Sequence, residues 1–191
     1  MNPDGSVNRY KVRLVVKGFN QQYEVDFIET FTPITRLDTI RLLLTLATQK
    51  SWRIHQMDVK SAFLNGFAIP GCEAKVYKLN NALYGLKQSL RAWYERIDNH
   101  MTKMGFERSI NEPTLYVKKA GNEIFLIISL YVDDLLVIGS NNKLVIVFKD
   151  QMQDKFEMSD LGEMSDFLGL KVNQASGAIF IIQKRFAIKI L

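Results

Sequence analysis

The feature that most constrains this chain lies two thirds of the way along it. Ile124 to Val132 is a near-continuous apolar run, it stops at Asp133-Asp134, and Leu135 to Ile138 is apolar again. An apolar run without polar alternation reads as a strand buried on both faces. Two such strands joined at an acidic pair make a hairpin with aspartates at its tip, and the rest of the chain must supply layers that cover both faces. The tip is chemically odd. Asp-Asp without glycine is a poor hairpin loop by the usual turn preferences, and adjacent carboxylates repel each other unless a proton or a cation offsets the charge.

With a single cysteine, Cys72, and two histidines, His55 and His100, neither an internal disulfide nor a structural zinc site can be assembled. That leaves a hard, oxygen-seeking cation such as Mg²⁺ as the natural partner of the acidic tip. The sparse cysteine fits a reduced, intracellular setting. At 191 residues, 47% hydrophobic and 24% charged, the chain is expected to form one globular domain or at most two small lobes, which excludes a disordered tail or a fibrous repeat. The apolar run is too short to cross a bilayer. Met1 is followed at once by the polar stretch Asn2 to Ser6, so neither a secretory leader nor a membrane partner is expected.

Around the hairpin, Tyr10 to Lys17 alternates well enough for a strand. Asp38 to Gln49 carries apolar residues at helical spacing, with Asp38 as a plausible N-cap. Arg53 to Val59 reads as a short strand, followed at Ser61 to Leu64 by a helical turn that Asn65-Gly66 ends. A long helix is expected from Asn81 or Leu83 to Met104, on the stepping of Leu86, Leu90, Trp93, Ile97, Met101 and Met104, with Gly105 as its stop. Thr114 to Val117 is a further strand, Asn141 to Phe156 a helix, and Phe167 to Val172 and Ala178 to Ile182 strands on either side of a turn at Ser176-Gly177. Asp58, next to the end of its strand and just before a small-residue turn, is the candidate third carboxylate of a two-metal site.

The net charge is +5 and unevenly laid out. Arg9, Lys11, Arg13 and Lys17 face Asp4 alone near the N-terminus, seven cations face three acids from Ala74 to Arg108, and from Asp150 to Asp166 six acids face Lys155. Each block alone is ordinary solvated surface. Two basic segments and a separate acidic pair are nevertheless what a polyanion-processing site needs.

Tyr131-Val132-Asp133-Asp134 has the Tyr-x-Asp-Asp form of a reverse transcriptase active-site hairpin, and Met57 to Gly66 (MDVKSAFLNG) resembles the copia-type retrotransposon form of the first catalytic aspartate block. Tyr10 to Asn20 (YKVRLVVKGFN), Glu29 to Arg41 (ETFTPITRLDTIR), Ala82 to Trp93 (ALYGLKQSLRAW) and Phe167 to Val172 (FLGLKV) resemble successive blocks of that family, in the family's order. A lone Tyr-x-Asp-Asp is weak. The conjunction, running from about Pro3 to Leu191, is specific.

The resemblance implies an α+β right-hand polymerase: a palm of antiparallel sheet backed by helices, with partial fingers and no thumb. Fingers would take approximately residues 1–50, the palm 51–66 and 82–175, and residues 176–191 would begin the thumb-side connection. The implied activity is that of an RNA-directed DNA polymerase, a nucleotidyltransferase acting on an RNA or DNA template with a primer and deoxynucleoside triphosphates. Two Mg²⁺ ions would serve it, with Mn²⁺ able to substitute. Carried over position by position, Asp58, Asp133 and Asp134 would be the catalytic, metal-holding carboxylates, and Val59 would add its backbone carbonyl. Lys11 and Arg13 match finger cations on the triphosphate. Phe63 stands where a bulky ring excludes a ribose 2′-hydroxyl, and Tyr84, Gly85 and Gln88 match the segment that supports the nucleotide. Lys87, Arg91, Tyr131, Phe167, Leu168 and Gly169 would face template and primer. Thumb, RNase H and integrase regions are expected on the parent polyprotein, in a cytoplasmic particle of the parent element.

Two departures from the family pattern stand out. Ser89 and Leu90 replace the usual Ala-Pro, and the stretch between Gly66 and Val76 is shorter than the family's by more than a typical strand. The second loss is expected to bare a sheet edge and displace Asp58. With a finger strand and a thumb expected to be missing, the chain should extend primers weakly or not at all, because duplex affinity sums many phosphate contacts. The competing expectation is a retroelement remnant that folds and binds nucleic acid without chemistry.

Overall fold

The computed structural model describes residues 15–60, 62, 83–183, 187–188 and 190. In chain order these give α1 (Leu37–Lys50), β1 (Ile54–Val59), α2 (Ser89–Lys103), β2 (Glu107–Arg108), β3 (Leu115–Ala120), β4 (Glu123–Tyr131), β5 (Asp134–Gly139), α3 (Asn142–Lys155), β6 (Met158–Glu163), β7 (Asp166–Phe167), β8 (Leu170–Ala175) and β9 (Ala178–Ile182). A six-stranded sheet runs in the order β2-β3-β4-β5-β1-β6 and a three-stranded one in the order β7-β8-β9. Every pairing between these strands is antiparallel, so the expected α+β class holds.

Two units divide the chain: Met1–Thr32 with Ala62–Trp93, and Pro33–Ser61 with Tyr94–Leu191. The second holds both sheets. Opposed residues of a ladder share a face. Ile54, Gln56 and Asp58 of β1 therefore lie on the same side as Ile138, Leu136 and Asp134 of β5, and as Ile127, Ser129 and Tyr131 of β4. The apolar members of that face join Ile40, Leu43, Leu44 and Ala47 of α1 and Phe167, Leu170 and Val172 of the small sheet in one core. On the opposite face, Met57, Leu135, Val137 and Ile128 are buried, and α3 packs across β5 and β6. Phe148 of α3 meets Phe106 edge-on at 5.5 Å. Both faces of the hairpin strands are covered, as their unbroken apolar run requires, and each such side chain contributes about 1.5–3 kcal/mol on burial.

In the first unit, Val16 N–H donates to the Tyr84 carbonyl at 2.8 Å, and Val15 forms an isolated parallel bridge with Tyr84. A Cβ on Gly18 would collide with the Gly85 carbonyl, and one on Gly85 with the Val16 carbonyl, so the two backbones approach where only glycine fits.

Some expectations fall on residues that are not described, and several others are corrected. Within Tyr10 to Lys17 only residues from Val15 on are described, and Val15 makes a bridge rather than a strand, with Lys17 leading into a 3₁₀ turn at Gly18–Asn20. The turn expected at Ser61 to Leu64 and the shortened stretch after Gly66 lie outside the described residues, apart from Ala62. The N-cap of α1 is Arg36, with no side-chain cap bond, and Asp38 sits in the first helical turn. α2 begins at Ser89 instead of Asn81 or Leu83, because Gly85 takes φ +90° and the backbone turns through Lys87-Gln88 before the helix can start. Phe167 to Val172 is broken into β7 and β8 by a turn at Leu168-Gly169. The strand β6 (MSDLGE) was hidden inside the acidic block, and one of its acids, the exposed Asp160, partners an interior cation: it accepts from the buried Lys149 ammonium at 2.9 Å through both carboxylate oxygens, while Lys149 Nζ also lies 3.1 Å from His55 Nδ1. β6 pairs along β1, so among the described strands β1 is interior, with Asp58 opposite Asp134 on one side and Ser159 on the other.

Candidate active site

Asp58, next to last in β1, stands directly opposite Asp134, the first residue of β5. The adjoining pair Met57↔Leu135 is fully buried and anchors this end of the ladder. The hairpin itself is tighter than its sequence suggested. Tyr131↔Asp134 closes it, so Val132-Asp133 is the turn and only one of the two aspartates lies at the tip. Val132 has φ +55°, and Asp133 is not among the positive-φ residues. That is the pattern of a type II′ turn, whose first position normally takes glycine. A β-branched residue there costs on the order of 1–2 kcal/mol. The tip is tied to the neighbouring strand by Val59 N–H, which donates to the Asp133 carbonyl at 2.9 Å.

The electrostatics follow from this placement. Burial holds the Asp134 carboxyl above the usual carboxylate range, and the negative charges of Asp133 and Asp58 push it the same way; the hydrogen bond from Gln56 opposes them. Gln56 Nε2 donates to Asp134 Oδ1 at 3.1 Å. Gln56 escaped the reading of the sequence, although a polar side chain two residues before Asp58 in an apolar strand falls on the same face by the period-two rule. Among the described residues no three acidic, histidine or cysteine side chains form a ready-made cation cage. The donor set still fits a hard divalent cation: carboxylate oxygens on adjoining strand ends, with a mutual repulsion that Gln56 offsets only in part.

Tyr131 meets Phe167 edge-on at 6.0 Å, which links the hairpin to β7. Leu168 and Gly169, at φ +51° and +80°, form the turn between Phe167 and Leu170. In the first unit the expected nucleotide and template residues are engaged with their own chain. Lys87 N–H donates to Gln21 Oε1 at 2.8 Å and its ammonium to the Gln21 carbonyl at 3.1 Å, over the Phe27 ring at 4.9 Å. Gln88 accepts from Gln21 Nε2 at 3.0 Å and donates to the Asp26 carbonyl at 3.3 Å. Arg91 donates to the Phe31 carbonyl at 3.2 Å. Tyr84 and Gly85 meet residues 15–18 as described above. Gln21, which organises this set, was not anticipated. Lys11, Arg13 and Phe63 lie outside the described residues.

An antiparallel sheet with an acidic strand end set against an acidic hairpin makes this an α+β protein with carboxylates gathered at one end of its larger sheet. The family model for reverse transcriptase (RNA-dependent DNA polymerase) matches residues 2–191, and the chain belongs to that family. It is 37% identical to the retrovirus-related Pol polyprotein from transposon RE1 of Arabidopsis thaliana, over 100% of this chain and 14% of the relative. It is 36% identical to the corresponding polyprotein from transposon TNT 1-94 of Nicotiana tabacum, over 98% of this chain and 15% of the relative, and 27% identical to the Transposon Ty1-ER2 Gag-Pol polyprotein of Saccharomyces cerevisiae, over 88% of this chain and 10% of that one. The chain therefore spans only about 14% of the length of the first of these relatives. The alignment with the RE1 polyprotein covers 203 positions, so that relative carries residues within the matched region that this chain lacks. No solved structure matches the chain.

Proposed function

We propose that the chain carries the nucleotidyl-transfer centre of a copia-type retrotransposon reverse transcriptase, with the second unit as palm and the first as part of the fingers. The observation that supports this most directly is the register Asp58↔Asp134 beside the Val132-Asp133 turn. Asp58, Asp133 and Asp134, with the Val59 carbonyl, would hold two Mg²⁺ ions, or Mn²⁺ in their place. When bound, such cations activate a primer 3′-hydroxyl and neutralise the triphosphate and the leaving pyrophosphate. The residues of the chain do the rest. Val59 N–H fixes the Asp133 backbone, Gln56 orients the Asp134 carboxylate, and the Tyr131–Phe167 contact steadies the hairpin beside the Leu168-Gly169 turn, where a primer would lie. Lys11 and Arg13 would grip the triphosphate, Phe63 would exclude a ribose 2′-hydroxyl by collision, and Tyr84, Gly85 and Gln88 would support the nucleotide, with Lys87 and Arg91 towards the template.

Primer extension on an RNA template with Mg²⁺ or Mn²⁺ tests this. Addition of one or a few deoxynucleotides is expected, abolished by Asp133→Asn with nucleic-acid binding retained. Binding without metal-dependent addition, in both the parent chain and Asp133→Asn, would instead identify an inert remnant of the parent polyprotein.

A further inference from the structure

The hairpin that carries Asp133 and Asp134 has a full ladder on only one side of its tip. Towards β5 the pairing reaches Tyr131↔Asp134. Towards β3 it ends at Leu115↔Ser129, where the chain runs back into Pro113, a residue with no N–H to offer a ladder. Leu130 is still held there at both backbone groups. Its N–H donates to the Thr114 carbonyl at 2.9 Å, and its carbonyl accepts from the Thr35 hydroxyl at 2.6 Å, from 95 residues away in sequence.

Thr35 belongs to a buried polar group. Its Oγ1 also reaches Thr114 Oγ1 at 2.8 Å as donor, so its one proton is shared between that hydroxyl and the shorter bond to the Leu130 carbonyl, and it lies 3.4 Å from Ser129 Oγ. Thr114 donates to Glu112 Oε1 at 2.8 Å and Thr39 to Glu112 Oε2 at 2.9 Å. Thr35, Thr114 and Ser129 are 5%, 0% and 1% exposed. Buried hydroxyls must be paired to be tolerated, and a valine would fill the space of Thr35 without that demand. Packing therefore does not explain the hydroxyl. Its bond to Leu130, two residues before the strained Val132, does.

We propose that Thr35 is a positioning residue for the hairpin. Its hydroxyl replaces the missing strand partner at Leu130, and through that carbonyl it keeps Asp133 and Asp134 in place against Asp58. The catalytic consequence rests on the polymerase reading given above; the bracing of the hairpin does not.

Amide hydrogen exchange in the whole chain, with nucleotide addition measured alongside, tests both halves. Thr35→Val should speed exchange of the amides at 130–134 about tenfold relative to those of β1, and Thr35→Ser, which restores a hydroxyl, should return it to within about twofold of the parent chain. Leu43→Ala, which thins the core under α1, is the control for general loss of stability and should speed all these amides in parallel. In addition assays Thr35→Val should lower kcat with KM for the deoxynucleotide unchanged. If the hairpin amides of Thr35→Val merely track the rest of the sheet, as in Leu43→Ala, the positioning role is overturned. A hairpin loosened by Thr35→Val in a chain that adds no nucleotide upholds the brace and sinks the polymerase reading; the reverse combination does the opposite.

Discussion

Asp134 is the carboxylate least at ease in its surroundings. Burial, Asp133 and Asp58 all make its proton harder to lose in the folded chain than in the unfolded one, against the single opposing bond from Gln56. Between the unfolded value and the raised folded one, the folded state therefore binds more protons. Its stability falls as pH rises through that window and levels off above it. Asp134→Asn keeps an acceptor for Gln56 and removes the charge, so it should melt higher than the parent chain at neutral pH, and the two melting curves should converge as pH is lowered into the acid range. Equal melting at neutral pH would mean that the carboxylate is not strained. Gln56→Leu acts in the other direction. It leaves a half-buried carboxylate without its donor and should cost about 1–3 kcal/mol in denaturant unfolding; a loss below a few tenths would show that the bond is incidental. The acidic pair at the hairpin was legible from residue type and order, whereas the bond from Gln56 and the role proposed for Thr35 were not, because they depend on register and on partners 78 and 95 residues away. Val132 was illegible for another reason: a valine in a left-handed turn contradicts its own local preference, and only the surrounding ladder imposes it.

At the scale of elements, strong apolar periodicity was readable and polar strands were not. α1, β1, β4, β5 and α3 fall within a residue or two of where their sequence put them. β6 was missed because MSDLGE carries no apolar alternation, and what makes it a strand is the free edge of β1 and the buried Lys149 that receives Asp160. The early start expected for α2 failed because helical spacing persists through Leu86, while the glycine and turn before Ser89 serve backbone contacts to residues 15–18. α3 is the helix whose boundary is best specified: the Asn141 side chain accepts from Lys143 N–H at 2.8 Å, satisfying one of the free donors of the first turn. Asn141→Ala should lower stability by about 1 kcal/mol, read as a shift of the urea midpoint at constant m-value. No shift would mean that packing of α3 on β5 and β6 alone sets its start.

Taken as a whole, the molecule concentrates like charges at one end of the six-stranded sheet although its net charge is +5. General screening by salt acts on both signs and on every exposed group, while a divalent cation held by Asp58, Asp133 and Asp134 would act only where those carboxylates face one another. The unfolded chain does not hold the three together, so such a cation binds the folded state preferentially and stabilises it by mass action, by roughly 1.4 kcal/mol at about ten times its dissociation constant. For a unit of this size that is a rise of several degrees in melting temperature. Mg²⁺ should therefore raise the melting temperature of the parent chain above that in NaCl of equal ionic strength, and Asp58→Asn and Asp133→Asn should each shrink the difference by more than half. A parent chain that responds alike to both salts, or an Asp58→Asn chain that keeps the full Mg²⁺ increment, would show that the juxtaposed carboxylates do not hold the cation, and the charge at the sheet end would then have to be balanced from within the protein.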